Sequence, residues 1–269
     1  MLSVYIETFG CQMNVADSTL VEELLLERGY SPVKNPPEAD LIIVNTCSVR
    51  ERAENRAMAR IGEFARIKKG NQQLWVIGCM AQRLGDTLKT EIPAIDRIIG
   101  AENLEYIAND IDTFLARSSQ PCSVKQLKAD GVSAFLPIMR GCDNYCAYCV
   151  VPYVRGREHS IPAKLLCDDA KRMIAKGVRE ITLLRQNVNS YRDNDTDFAD
   201  LIMLLHEIDG LMRIRFTTSH PKDIGDKLIQ TITTLPKVCK HIHLPVQSGS
   251  SKILGLMNRK YTRDRKSVV

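Results

Sequence analysis

Residues 41–46 read LIIVNT and residues 74–78 read LWVIG. Runs so short and so apolar have no wet face, so each belongs inside a sheet covered on both sides. Between them lies a segment of helical period, with Val49, Ala53, Ala57, Ile61 and Phe64 on one side and Gly70 at its end. An earlier pair has the same form. SVYIET (3–8) is short and β-branched, and the helix after it carries Leu20, Val21, Leu24 and Leu25 on one face. Asn14 is placed to cap that helix, with Asp17 three residues on, and Gly29 to close it. DRIIG (96–100) supplies a fourth strand. The alternation predicts an α/β fold over residues 1–116, a doubly wound parallel sheet with helices on both faces.

Three cysteines punctuate this pattern. Cys11 follows the first strand, Cys47 follows LIIVNT and Cys79 follows LWVIG. In a parallel sheet the carboxyl ends share one edge, where ligands bind, so the three are predicted to converge. Nearby helix N-termini favour their thiolates. The plainer alternative is three small residues packed at loop starts; three placements out of three weigh against it.

Residues 117–133, RSSQPCSVKQLKADGVS, are polar and broken by Pro and Gly, and read as a linker. A second alternation fills 134–269: AFLPIM, a helix from about Pro162 to Lys176 closed by Gly177, REITLL, a helix after Asp197, RIRFTT, a helix around Leu228, HIHLPV and a helix near Ser250. That makes four βα units. Directly after the first strand, GCDNYCAYC sets Cys142, Cys146 and Cys149 at C-x₃-C-x₂-C spacing. A loop this tight can give each thiolate its own iron. A cubane cluster normally takes four cysteines, so three leave one iron open to a cofactor or substrate. Zinc bound by the three with His159 as fourth ligand is an alternative. A chance cluster of structural thiols is another, and it would be an oxidation liability.

Composition narrows the setting. Nine cysteines in 269 residues favour metal or redox chemistry if the chain stays in a reducing cytosol. That location is expected because no apolar run approaches the roughly 18 residues of a membrane span, and MLSVYIETFG is too short and acidic for a signal peptide. The net charge of +5 is mild. Basic residues nevertheless gather at Arg50, Arg52, Arg56, Arg60, Arg66, Lys68 and Lys69, as a solvated helix face or a phosphate-contacting surface.

The C-x₃-C-x₂-C loop, with Tyr148 before its last cysteine, resembles the signature of the radical S-adenosylmethionine enzymes. GCQMN, NTCSVRE and GCMAQ, with QNVNSY, RFTTSHP and HLPVQSGS, resemble the methylthiotransferases within that superfamily, from about residue 4 to about 262. CQMN together with CSVRE is most similar to the MiaB-type tRNA-2-methylthio-isopentenyladenosine synthases. The resemblance implies a βα barrel with about four of six units present, and a [4Fe–4S] cluster on Cys142, Cys146 and Cys149 that reduces S-adenosylmethionine to a 5′-deoxyadenosyl radical. It implies a second [4Fe–4S] cluster on Cys11, Cys47 and Cys79 that carries sulfur to carbon-2 of an adenine beside the tRNA anticodon. That C–H bond is unactivated, so no acid–base dyad is expected. The implied cofactor pocket comprises Tyr148, Gln186, Asn187, Ser219, His220, Gln247 and Ser248. QSGS could also hold a phosphate at a helix start. Implied partners are a tRNA, an electron donor such as a flavodoxin or ferredoxin, and a sulfur source, with no membrane. His241 and His243 read as core or barrel-lining residues rather than ligands, and Cys122, Cys167 and Cys239 as structural. Sibling readings keep the chemistry but act on a ribosomal-protein aspartate or on threonylcarbamoyl-adenosine. A separate reading is an inactive iron–sulfur or zinc-binding fragment.

Two departures stand out. The family pattern LLGQN is LLRQN here, so Arg185 replaces a glycine and is expected to obstruct the methionine end of the cofactor, to alter the turn, or to be an error or a tolerated variant. The chain is also expected to be C-terminally truncated, without the last two barrel units and the family's small β-rich RNA-binding domain. Such a chain would have an unpaired barrel edge and weak tRNA affinity.

Overall fold

The computed structural model describes residues 2–114 and 131–266. They fall into two units, residues 2–114 with Tyr153–Arg155, and residues 131–152 with 156–266. Most of the expected linker, with Cys122, lies outside the described residues.

In the first unit the apolar runs become strands and the periodic segments helices: β1 (Ser3–Thr8), α1 (Gln12–Glu27), β2 (Ser31–Pro32), β3 (Leu41–Thr46), α2 (Glu51–Ile67), β4 (Gln73–Gly78), α3 (Cys79–Leu84), α4 (Asp86–Glu91), β5 (Arg97–Gly100) and α5 (Ile107–Phe114). All five strands are parallel, in the order β2-β1-β3-β4-β5. Every residue of β3 is buried, as its uniformly apolar start demands. The two faces of β3 separate cleanly. Ile42 and Val44 pack with Ala57, Ile61 and Phe64 of α2, while Asn45 on the other face bonds to Asn14 and Ser18 of α1. Gly29 ends α1 in the left-handed region at φ +80°. Two details differ from the sequence reading. Cys11, not Asn14, is the N-cap of α1, and Asn14 sits inside the first turn, accepting the Cys11 N–H. Val49 precedes α2 and is exposed, because α2 begins only at Glu51.

The second unit opens with β6 (Ser133–Pro137) and β7 (Met139–Arg140), followed by α6 (Val151–Arg155, whose last three residues belong to the first unit), β8 (His159–Ser160) and α7 (Ala163–Ala175). Next come β9 (Glu180–Leu184), the short β10 (Arg192–Asp193) and β11 (Thr196–Asp197), α8 (Phe198–His206), β12 (Arg213–Thr217), α9 (Asp226–Thr234), α10 (Ser251–Leu256) and α11 (Arg263–Lys266). The parallel sheet runs β12-β9-β6, which is the start of a βα barrel. Ile181, Leu183, Ile214 and Phe216 pack with helix residues such as Leu166, Met173, Leu201 and Leu205 in one core. Asp197 caps α8 by accepting the Asp200 N–H.

The fourth strand is not formed. Past the bridge of Ile214 with Val238, the Cys239 N–H donates to Ile214 O and the Ser219 N–H to His243 O, but HIHLPV builds no ladder. Ile242 and Leu244 are only half-buried, Val246 is exposed, and Pro245 offers no N–H. His241 and His243 are exposed, which corrects their reading as barrel-lining residues. Three strands, not four, therefore stand in this parallel sheet among the described residues.

Phe64 is fully buried and meets Tyr5 edge-on at 5.9 Å. Phe64→Ala is expected to destabilise the chain by about 3–5 kcal/mol, read as a lower denaturant midpoint; a loss under 1 kcal/mol would show that this core is not closed.

Candidate functional site

The strand order of the first unit reverses between β1 and β3, and in open parallel sheets such a switch point opens a crevice at the carboxyl edge. Cys11 and Cys47 follow those two strands, and Cys79 begins α3 after the neighbouring β4. The approach is close. A Cβ on Gly10 would lie 2.7 Å from Cys47 Cβ, and Gly10 sits at φ +132°, so glycine lets the Cys11 loop settle against Cys47. Asn14 fixes the same edge, donating from Nδ2 to Asn45 Oδ1 and to Thr46 O, both at 3.0 Å. The Val49 N–H donates to Cys47 Sγ at 3.4 Å. Burial pushes the Cys79 thiol up, and Arg155 opposes that shift. Arg155 donates from Nε to Cys79 Sγ at 3.2 Å and from Nη2 to Asp17 Oδ2 at 2.9 Å. Burial alone would lower the Arg155 pKa, but Asp17 and Cys79 raise it on balance and keep it charged.

In the second unit the antiparallel pair β7–β8 closes the base of the three-cysteine loop. Within the loop the Cys142 N–H donates to Gly156 O and the Cys149 N–H to Cys146 O. Cys142 and Cys146 are buried and Cys149 is half-buried. Burial raises the thiol pKa of Cys142 and Cys149, and neighbouring cysteines of the loop add to it. Residues after α10 hold the loop from outside: the Ala147 N–H donates to Met257 O, Asn258 Nδ2 to Tyr145 O, and Arg259 Nη1 to Cys146 Sγ.

The expected pocket residues divide. Gln186 and Asn187 follow β9, and Ser219 and His220 follow β12, its neighbour in the sheet. Buried Gln186 Oε1, Asn187 Oδ1, Ser219 Oγ and His220 Nε2 have no hydrogen-bond partner among the described residues. Four such atoms on adjacent strand ends fit a polar ligand. Gln247 is exposed at φ +64°, Ser248 accepts the Ser250 N–H, and Tyr148 is exposed with its hydroxyl 3.3 Å from Arg259 Nη1. Burial, with help from Arg259, lowers the His220 pKa to about 4. His220 Nδ1 accepts the Lys222 N–H, so the ring is neutral with its proton on Nε2.

Arg185 behaves otherwise than its bulk suggested. Its side chain is wholly buried, ion-paired with Glu158 at 2.9 Å, and donates to Asn187 O at 2.6 Å and Gly141 O at 2.8 Å. It is absorbed by the backbone around the cysteine loop. The residues that sequence reasoning passed over are Gly10, Asp17, Arg155 and Arg259. Gly10, Asp17 and Arg155 had proximity as their signal: Gly10 precedes Cys11, Asp17 lies six residues past it, and Arg155 lies six past Cys149; Arg259 had none. Among the described residues no three His, Cys, Asp or Glu side chains gather closely enough to share one metal ion. A thiolate set that serves several irons suits a cluster, which gives each sulfur its own metal.

Two family models match the chain. One, described as Uncharacterized protein family UPF0004, covers residues 3–100, and one, described as Radical SAM superfamily, covers 136–266. The tRNA-2-methylthio-N(6)-dimethylallyladenosine synthase of Syntrophus aciditrophicus (strain SB) is 46% identical over 277 residues, covering 97% of this chain and 60% of the relative. The protein of that name from Geobacter sulfurreducens is 45% identical over 278 residues, covering 97% and 62%. The chain thus spans about three-fifths of the length of these relatives. Among solved structures, the radical S-adenosylmethionine methyltransferase TsrM from Kitasatospora setae, with cobalamin and a [4Fe–4S] cluster bound, superposes with a TM-score of 0.70 at 11% identity, over 99% of this chain and 66% of that one. The cobalamin-dependent radical enzyme OxsB gives 0.64 at 12%, over 98% and 46%. These two likenesses concern the fold. With its α/β architecture and three-cysteine loop, the chain is a radical S-adenosylmethionine superfamily protein. Within that superfamily it belongs to the methylthiotransferase family of the synthases just named.

Two expectations follow from the second unit. Arg185→Gly leaves Glu158 without its buried partner and frees Gly141 O, and is expected to cost about 2–4 kcal/mol in denaturant unfolding; an unchanged midpoint would make the ion pair energetically idle. His220 is lowered from 6.5 to about 4 in the folded chain. The unfolded chain therefore binds the proton first as pH falls. Stability is expected to be full above pH 6.5 and to drop by roughly 3 kcal/mol towards pH 4; His220→Gln should flatten that part of the profile.

Proposed function

We propose that this chain carries the catalytic part of a tRNA methylthiotransferase, adding a methylthio group at carbon-2 of isopentenyl-adenosine next to the anticodon. The observation that supports it most is the pair of cysteine triads, one at the switch point of a parallel sheet and one on a clasped loop after a barrel strand. Cys142, Cys146 and Cys149 would hold one [4Fe–4S] cluster, and Cys11, Cys47 and Cys79 a second. The domain limits belong to the same proposal: 1–116 as the N-terminal methylthiotransferase domain and 134–269 as the radical S-adenosylmethionine domain. When bound, the cluster and S-adenosylmethionine supply reductive cleavage of a sulfonium, hence a carbon radical able to take hydrogen from an unactivated C–H bond.

The chain's own residues bind and orient. Gln186, Asn187, Ser219 and His220 offer unpaired polar atoms to the polar end of S-adenosylmethionine, and Tyr148 lies at the rim of the loop. Neutral His220 has an N–H to donate and no charge to repel a sulfonium. Arg50, Arg52 and Arg56 line a cleft with Phe9 and Gly10, and their charge suits the phosphates of a tRNA. The electron donor and sulfur source implied by the family belong to this reading too.

Anaerobic reconstitution is expected to load about eight irons and eight sulfides per chain. Replacing Cys142, Cys146 and Cys149 by Ala should halve both, as should replacing Cys11, Cys47 and Cys79. Reduction in the presence of S-adenosylmethionine should release 5′-deoxyadenosine. Zinc uptake without sulfide would sink the reading.

A further inference from the structure

Each cysteine triad has one buried arginine against one of its sulfurs. Arg155 reaches Cys79 Sγ and Arg259 reaches Cys146 Sγ, both at 3.2 Å. The two residues are 7% and 5% exposed. Taking a guanidinium out of water costs several kcal/mol unless an anion meets it. Arg155 has Asp17 at 2.9 Å. Arg259 has no carboxylate in ion-pair range among the described residues. Its partners are Pro245 O at 3.1 Å, the Tyr148 hydroxyl, the Tyr261 ring at 5.5 Å and the Cys146 sulfur, and its Nε has no hydrogen-bond partner. Among these partners the Cys146 sulfur is the one that carries a full negative charge when it binds iron.

The position of Arg259 is not incidental. The Met257–Arg259 segment makes three bonds to three successive residues of the cysteine loop, at Tyr145, Cys146 and Ala147. Tyr145 and Asn258 adopt left-handed φ values of +47° and +54°, a conformation that side chains rarely take without such fixing. The loop and the arginine are thus held as one piece.

We propose that Arg259 and Arg155 are positioning residues, each anchoring one thiolate of the cluster on its own triad and raising that cluster's reduction potential. The inference rests on the cluster reading above. Potentials of iron–sulfur centres depend on net charge and on hydrogen bonds to sulfur. A buried cation with an N–H aimed at the thiolate supplies both, and both favour the reduced, more negative state. A donor of given strength then reduces the centre more readily.

The test is a redox titration followed by electron paramagnetic resonance, on anaerobically reconstituted chains that retain one triad, the other being changed to Ala. With Cys142, Cys146 and Cys149 retained, Arg259→Gln is expected to lower the midpoint by at least a tenfold change in the one-electron equilibrium, about 59 mV. Arg259→Lys keeps the charge and should fall between. With Cys11, Cys47 and Cys79 retained, Arg155→Gln is made together with Asp17→Asn, so that no buried carboxylate is stranded. Its midpoint should fall by less, since a negative charge leaves with the positive one. Arg259→Gln should leave this second centre unmoved. An unchanged midpoint at wild-type iron content overturns the proposal and leaves the cluster reading standing. Equal drops in both centres overturn it too, as general loosening. If Arg259→Gln takes up no cluster, Arg259→Lys decides: a lowered midpoint supports the proposal and a wild-type midpoint overturns it. A wild-type chain that takes up no iron overturns both readings.

Discussion

A parallel sheet places the carboxyl ends of all its strands on one edge, and the first unit depends on that constraint. Because β1, β3 and β4 are neighbours in the order β2-β1-β3-β4-β5, residues that follow them must meet. Cys11, Cys47 and Cys79 stand on one edge for this reason and not through any local motif. The same edge then needs polar fixing, since a strand end buried among thiols has backbone groups to satisfy. Asn14 and Asn45 supply it, each bonding across to the backbone or side chain of the other. Gly10 removes the one side chain that would hold the Cys11 loop away from Cys47.

The second triad solves the opposite problem. Its cysteines are adjacent by sequence, so convergence is free, and what the fold must add is rigidity. It does so in two places. The β7–β8 ladder ties the ends of the loop, and the segment after α10 ties its middle. Arg185 adds a third tie, to the carbonyl of Gly141 just before Cys142. A long charged side chain at a position expected to carry glycine is tolerated because its donors find Glu158, Gly141 and Asn187 within reach, which offsets its desolvation.

These contrasts explain what the sequence could and could not disclose. Hydrophobic period placed β1, β3, β4, β9 and β12 and the long helices nearly to the residue, because apolar side chains must leave water wherever the chain goes. Spacing put Cys142, Cys146 and Cys149 on one loop, and strand alternation put Cys11, Cys47 and Cys79 on one sheet edge. HIHLPV failed as a strand because its alternation was real but its outward residues were histidines and its inward ones found little to pack against. Asn14 was misread as a cap because its side chain serves a strand thirty residues away, a partner that local motifs do not name. Arg155 and Arg259 were illegible for the same reason: a charged residue reads as surface until the groups that compensate its burial are known.

Burial also argues about the strand ends of the second unit. An unmet buried polar atom costs about 1–3 kcal/mol, and Gln186, Asn187, Ser219 and His220 each carry one on two adjacent strands. Folding alone gives no reason to collect such costs in one place, since apolar residues of similar size would remove them. They are offset where a ligand supplies the missing partners. His220 fits that logic most closely. Burial and Arg259 keep its ring neutral, its Nδ1 is already committed to the Lys222 amide, and one N–H remains to be met. Arg259 thus acts on both neighbours, holding a sulfur of the loop on one side and suppressing a positive charge on His220 on the other.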